Sequence, residues 1–255
     1  MFMTLRAALF LSLAGLLAGC ITDGGTKDPL STEEGRDQAR DAYIQLGLGY
    51  LVQGATEKAK APLKSALELD PSSAEAHATL AVVFQREMEN KLAEQHYRKA
   101  LSLSSGEARV LNNYGGFLFE QKRYQEAFDV YLKASEDTLY SERSRVFENL
   151  GMTALQLGRR DEAKAFFERA LRLNSRRTLA LLQMAQLSLE DKQYVPARGF
   201  YERFSQQSEQ TPASLLLGIR LAKVFEDRDQ VASLGLQLKR LYPGTPEYQQ
   251  YLSEQ

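Results

Sequence analysis

Cys20 is the only thiol in a chain of 255 residues, so any sulfur chemistry falls on a single atom. An intramolecular disulfide needs a second Cys and is excluded. His77 and His96 are the other natural ligand or base candidates, yet they lie nineteen residues apart with no companion His or Cys. A closed zinc site needs several such ligands, so no metal or other cofactor is expected. Ser and Glu are plentiful, but they fall in turns and on charged helix faces, where no nucleophile, base and orienting group meet at a specific spacing. No catalytic residue is expected, which leaves the Cys20 thiol as the chemistry to explain.

The residues before Cys20 bear on its fate. Arg6 precedes an uncharged run, Ala7 to Gly19, rich in Leu and Ala. One positive charge ahead of a short apolar stretch is the pattern of a secretory signal, and the stretch is too short for a convincing membrane span. It ends in Leu17-Ala18-Gly19-Cys20, where the small pair Ala18-Gly19 suits a peptidase that cuts just before the Cys. This arrangement resembles the bacterial lipoprotein box. The resemblance implies that residues 1–19 are a signal peptide and that Cys20 carries a diacylglyceryl thioether and an acylated amino group. Burial in lipid contributes roughly 0.8 kcal/mol per CH2, and stable attachment takes more than one chain. In that family an Asp directly after the Cys favours the inner membrane. Ile21 stands there instead, so the resemblance implies an outer-membrane anchor with the body facing the periplasm.

Residues 20–39 are expected to be the lipidated Cys and a flexible tether. The stretch ITDGGTKDPLSTEEGRD, residues 21–37, lacks apolar periodicity and contains Gly24, Gly25, Pro29 and Gly35. Such a segment buries too little surface to offset its ordering entropy, and as a coil it spans roughly 20 to 25 Å. The whole chain is 44% hydrophobic and 25% charged, the profile of a folded helical protein. Its 32 basic and 33 acidic side chains give a net charge of -1 with no long block of either sign. A basic face for phosphate backbones is therefore absent from the pattern, and nucleic acid is not an expected partner.

Positioning falls to a repeat. One small residue per unit, Gly47, Ala81, Gly115, Gly151, Ala185 and Gly218, recurs at spacings of 34, 34, 36, 34 and 33. Large apolar residues flank it, among them Tyr43, Leu46, Tyr50, Leu80, Phe84, Tyr114, Phe147 and Leu150, and a second small series runs through Ala59, Ala93, Ala127, Ala163 and Ala197. Period and positions together resemble the tetratricopeptide superfamily. The resemblance implies an all-α fold, a right-handed superhelix (α-solenoid) of six hairpins at about 40–73, 74–107, 108–143, 144–177, 178–210 and 211–243, with 244–255 as a C-terminal cap or tail. Residues three and four apart share a helical face, and a Gly or Ala within the stripe lets paired helices approach closely. Gly151→Leu is expected to cost roughly 1 to 3 kcal/mol by overpacking. His77 and Tyr114 read as core residues, Pro62 as a kink in a second helix, and the sixth unit as irregular, with Gly235 where a bulky residue belongs. The two-residue excess around Ser135 to Arg145 reads as a loop adjustment, with presentation of Leu139 and Tyr140 as the alternative.

Stacked hairpins leave a concave wall formed by the first helix of each unit. On the face turned from the hairpin core the pattern places Ile44, Leu48 and Leu51, then Val82, Gln85 and Arg86, then Asn112, Asn113, Gly116 and Phe119. It continues through Asn149, Met152 and Leu155 to Leu182, Gln186 and Leu189. A contiguous apolar strip of this kind marks an interaction surface and suits an amphipathic helix or an extended segment. Asn113 and Asn149 share a repeat position and are candidates for bonding a ligand backbone, with neighbouring carbonyls as the alternative partners.

The full layout of lipid-modified Cys, tether and six repeats resembles the pilotin lipoproteins of type IV pilus systems. That resemblance implies a secretin as partner, helped to the outer membrane and into its multimeric channel for pilus assembly and twitching motility. It also implies contact with the lipoprotein sorting machinery and with the lipid bilayer through acylated Cys20. The alternative is a periplasmic repeat scaffold that recruits a cell-wall synthase or hydrolase.

Overall fold

Each apolar stripe is wider than one hairpin can cover, so its outer part must be buried by the next hairpin. The computed structural model describes residues 28–104 and 106–254, and among these it consists of thirteen α-helices and one short 3-10 turn, Pro29–Ser31. Cys20, the expected signal peptide and the first part of the expected tether lie outside the described residues. The first hairpin pairs α1 (Glu33–Val52) with α2 (Thr56–Leu69), the second α3 (Ala74–Arg86) with α4 (Asn90–Leu103), and the third α5 (Ala108–Glu120) with α6 (Tyr124–Glu136). Then follow α7 (Arg143–Gln156) with α8 (Arg160–Leu173), α9 (Thr178–Glu190) with α10 (Tyr194–Ser205), and α11 (Pro212–Val224) with α12 (Arg228–Leu241). A last helix, α13 (Pro246–Ser253), closes the α-solenoid. No helix among the described residues is long and apolar enough to cross a membrane.

Glycine is used where a hairpin closes tightly. A Cβ on Gly47 would stand 2.6 Å from Leu63, one on Gly115 2.6 Å from Tyr131, and one on Gly151 2.5 Å from Phe167. Each of these partners is buried in the second helix of the same hairpin. The turns repeat as faithfully as the helices. Gly54 and Gly158 have φ 73°, Met88, Lys122 and Lys192 φ 60°, and Glu226 φ 55°. The residue after each closes back to a carbonyl five positions earlier, as Ala55 N–H does to Tyr50 O at 2.9 Å and Glu89 N–H to Phe84 O at 2.9 Å. This is a Schellman-type ending of the first helix.

Three expectations are corrected by the structure. Residues 33–39, expected in the tether, belong to α1. Thr32 Oγ1 accepts from the Gly35 N–H at 3.0 Å, Glu33 and Glu34 fill the first turn, and Arg40 pairs with Asp37 at 2.7 Å and Asp41 at 2.8 Å. A cap and complementary charges extend a helix that has no apolar stripe to hold it. In the sixth unit the left-handed residue Glu226 sets the register, and counting back from it places Ile219, not Gly218, at the small position. Gly235 correspondingly takes the place held by Phe167 in the fourth hairpin, and the Tyr251 ring fills that space from α13. Third, Tyr43 and Leu46, which carry the repeat pattern, are 37% and 48% exposed because no hairpin among the described residues precedes the first. Pro62 is buried inside α2, which runs through it.

The link between α6 and α7 takes up the two extra residues. Arg143 Nε donates to the Ser135 carbonyl at 2.8 Å, and the Arg143 guanidinium lies 5.3 Å from the Phe147 ring centroid. Tyr140 packs on the core while Leu139 is 93% exposed.

Candidate protein-binding groove

The wall is built by α1, α3, α5, α7 and α9, and its middle is the part with shape. A pocket of about 520 Å³ lies across α3, α5 and α7, lined among others by Val82, Gln85, Arg86, Asn112, Asn113, Gly116, Phe119 and Asn149. A smaller one of about 180 Å³ adjoins it, formed by Phe119, Tyr131, Asn149, Met152 and Leu179. Phe119, Tyr131 and Asn149 belong to both.

Hydrogen bonds organise the polar side. Asn149 Nδ2 donates to Asn112 Oδ1 at 3.0 Å, joining α7 to α5. Gln85 Nε2 donates to Glu120 Oε2 at 2.7 Å, and the Tyr97 hydroxyl donates to Gln85 Oε1 at 2.7 Å. Burial pushes the Tyr97 and Tyr131 phenols well above the usual tyrosine range, so both stay protonated. Arg86 Nη1 donates to the Leu51 carbonyl at 2.5 Å. Arg145 also lines the larger pocket, with its Nε buried and without a hydrogen-bond acceptor.

The residues expected on the wall divide by position: those of its middle line pockets, and those of its first hairpin are buried or half-buried. Val82, Gln85, Arg86, Asn112, Asn113, Gly116, Phe119 and Asn149 line the larger pocket, and Met152 lines the smaller. Ile44, by contrast, is 1% exposed and packs with Ala66 and Ala76, and Leu51 is 5% exposed among Ala59, Leu63, Leu80 and Val83. Both were expected in the groove, and both instead seal α1 against the second hairpin. Leu48 packs beside Ile44, while Leu155, Leu182 and Leu189 lie half-buried against the main core. Asn149 donates to the side chain of Asn112 on the neighbouring helix rather than to a neighbouring carbonyl. Missed altogether were Tyr97, Tyr131, Glu120, Arg145 and Leu179. The two tyrosines start in second helices, and their hydroxyl ends reach the wall past the small residues Ala81 and Gly115. Their identity as Tyr, where Phe167 stands in the fourth hairpin, was the available signal.

Three further features were invisible in the linear spacing. His77 and His96 meet, with their Nδ1 atoms 3.0 Å apart and His77 Nε2 3.2 Å from the Pro71 carbonyl. Desolvation, followed by the neighbouring His77, lowers His96 to about 4. Contrary to its expected place in the core, His77 is only half-buried, whereas Tyr114 is 6% exposed. Glu94 of α4 is held at about 2, chiefly by its hydrogen bond from Arg123, and receives the Tyr114 hydroxyl at 3.2 Å. Between the fourth and fifth hairpins a buried Glu148 pairs with Arg177 and accepts from the Ala180 N–H at 3.1 Å. Among the described residues no group of three or more His, Cys, Asp or Glu stands close enough to hold a metal ion.

Comparison with known proteins places this architecture among relatives. Two family models described as tetratricopeptide repeat match residues 106–176 and 149–211. The type IV pilus assembly protein PilF of Pseudomonas aeruginosa is 63% identical over 252 residues, covering 99% of this chain and 100% of that protein. The solved structure of Pseudomonas aeruginosa PilF superimposes with a TM-score of 0.85 at 64% identity, over 87% of this chain and 100% of the other. A crystal structure of PilW, described as a widely conserved type IV pilus biogenesis factor, gives a TM-score of 0.73 at 25% identity over 84% of this chain and 99% of its own.

Proposed function

The chain belongs to the family of the type IV pilus assembly protein PilF, and from that membership we propose that it is an outer-membrane lipoprotein that binds the pilus secretin. In this role it promotes the secretin's localisation to the outer membrane and its multimerisation there. Kinship along the full length of the chain carries the reading. The body agrees with it physically, since stacked hairpins offer an extended inner wall.

Cys20 supplies the anchor. Its acyl chains, delivered by the lipoprotein sorting machinery, insert in the bilayer, and a short tether ending near Thr32 holds the solenoid in the periplasm. The secretin segment occupies the inner wall, so whatever moves the lipid moves the client. Deletion of the gene, followed by assay of secretin multimers in separated membranes, tests the role directly. Cys20→Ala is expected to leave the body folded and to strand the secretin away from the outer membrane. Detergent-resistant secretin multimers found wholly in the outer membrane of that variant would defeat the transport mechanism.

A further inference from the structure

The middle of the inner wall has a pattern of charge and hydrogen-bonding capacity more specific than a generic groove requires. Two guanidinium groups, Arg86 and Arg145, and one carboxylate, Glu120, line the larger pocket. The carboxylate is engaged by the Gln85 amide, itself held by the Tyr97 hydroxyl. Arg86 donates to a carbonyl and has no carboxylate partner among the described residues. The Glu142 carboxylate is 3.9 Å from Arg145 Nε, and that buried nitrogen has no hydrogen-bond acceptor among the described residues. A buried donor without a partner is costly, so this corner favours an incoming carboxylate.

Beside it stand amides with unused capacity. The Asn149 to Asn112 bond occupies one atom of each side chain, and Asn113 makes no side-chain bond among the described residues. Beyond Asn149 the second pocket is an apolar cup of Phe119, Met152 and Leu179. Guanidinium, amide pair and apolar cup therefore follow one another across the wall.

We propose that hairpins two to five read an internal, extended segment of a protein in which an acidic side chain lies close in sequence to a bulky apolar one. The acidic side chain pairs with Arg145 and Arg86, the apolar one fills the cup, and the intervening peptide bonds meet the Asn112 and Asn149 amides. The segment is extended because a helix has already spent its backbone groups, leaving none for these amides. It is internal because the wall continues past the pockets, through Leu48 on one side and Leu182 and Leu189 on the other. This inference rests on the groove-binding reading above and specifies its ligand.

The test uses the full-length lipidated protein in detergent and fluorescently labelled dodecapeptides blocked at both ends. These peptides have a Gly-Ser-Thr background, one Leu, and one Asp placed one, two or three residues from it. At least one spacing should bind, and its Asp→Asn counterpart should bind about tenfold more weakly. In Arg145→Gln that difference should vanish, with thermal unfolding unchanged, while Asn149→Ala should weaken both peptides alike. Failure of every spacing to bind by about millimolar concentration, an Asp-to-Asn ratio unaltered by Arg145→Gln, or binding only by peptides with a free C-terminal carboxylate would each overturn the proposal. The peptides contain no secretin sequence, so they succeed or fail independently of the membrane-fractionation experiment.

Discussion

The two ends of the solenoid meet solvent differently. At the N-terminal end α1 turns Tyr43 and Leu46 outward, where an earlier hairpin would have covered them. At the C-terminal end α13 lays Tyr251, 9% exposed, into the space left by Gly235 and joins a cluster with Leu215, Leu216, Ile219 and Leu238. Polar links fasten the same helix: Arg220 to Glu254 at 2.5 Å, and Lys223 Nζ to the Glu254 carbonyl at 2.7 Å. A repeat position is thus a core position only when both neighbours exist. Among the described residues, one end is completed by a closing helix and the other leaves an apolar face uncovered.

Interior and terminal glycines give the largest contrast. Gly151→Leu drives a side chain into Phe167 with a hairpin on either side, and about 3 kcal/mol or more should be lost, read by chemical denaturation. Gly235→Leu meets a ring on a short terminal helix, so its cost is limited to undocking α13 and should be clearly smaller. Equal costs at the two sites would remove the distinction between interior and end. Tyr251→Ala should cost about 2 to 3 kcal/mol, with hydrogen exchange accelerating in 212–253 while the first four hairpins keep their protection. Uniform loss of protection would mean that the stack melts as one unit.

An acid titration probes the region nearer the open end. His96 is lowered from 6.5 to about 4 in the fold, so the unfolded chain takes up its proton first. Stability contributed by the neutral ring is present above about 6.5 and is lost as pH falls towards about 4. His96→Phe should flatten the fall in thermal midpoint between pH 7 and pH 5 (about two units of a linkage slope). Glu94, lowered from 4.5 to about 2, contributes in the same direction at lower pH, its ion pair being lost as pH drops from about 4.5 to 2. The smallest effect is expected for Leu46→Gln, within about 0.5 kcal/mol, since the side chain is already half in water. A loss comparable to that of Tyr251→Ala would show that the open end is covered after all.

Much of the fold was legible because helical packing writes itself locally. A small residue opposite a large one, repeated every 34 residues or so, fixes the hairpins and their order, as Gly47, Gly115 and Gly151 against Leu63, Tyr131 and Phe167 illustrate. The turn chemistry was readable only at Gly54 and Gly158. At Met88, Lys122, Lys192 and Glu226 the left-handed backbone is imposed by the hairpins on either side, at a cost of roughly 1 to 2 kcal/mol each that the side chain gives no sign of.

Of the expected wall, the inward faces of the first helices were legible and their burial was not. Side-chain period says which face of a helix looks inward, but not how far the next hairpin covers that face, so Ile44 and Leu51 read as groove residues and are buried. Contacts between separate helices were beyond reach for the same reason. The Asn112 to Asn149 bond, the meeting of His77 with His96, and the unmatched Arg145 all depend on how hairpins stack, and stacking angle is a property of many small contacts together. By itself the sequence determined the repeat, its number and the Cys20 signature, since these are periodic or contiguous along the chain. Only the tertiary structure decided which positions of that repeat are sealed, which are open, and which polar groups are left without partners, because burial is settled by neighbours far away in the chain.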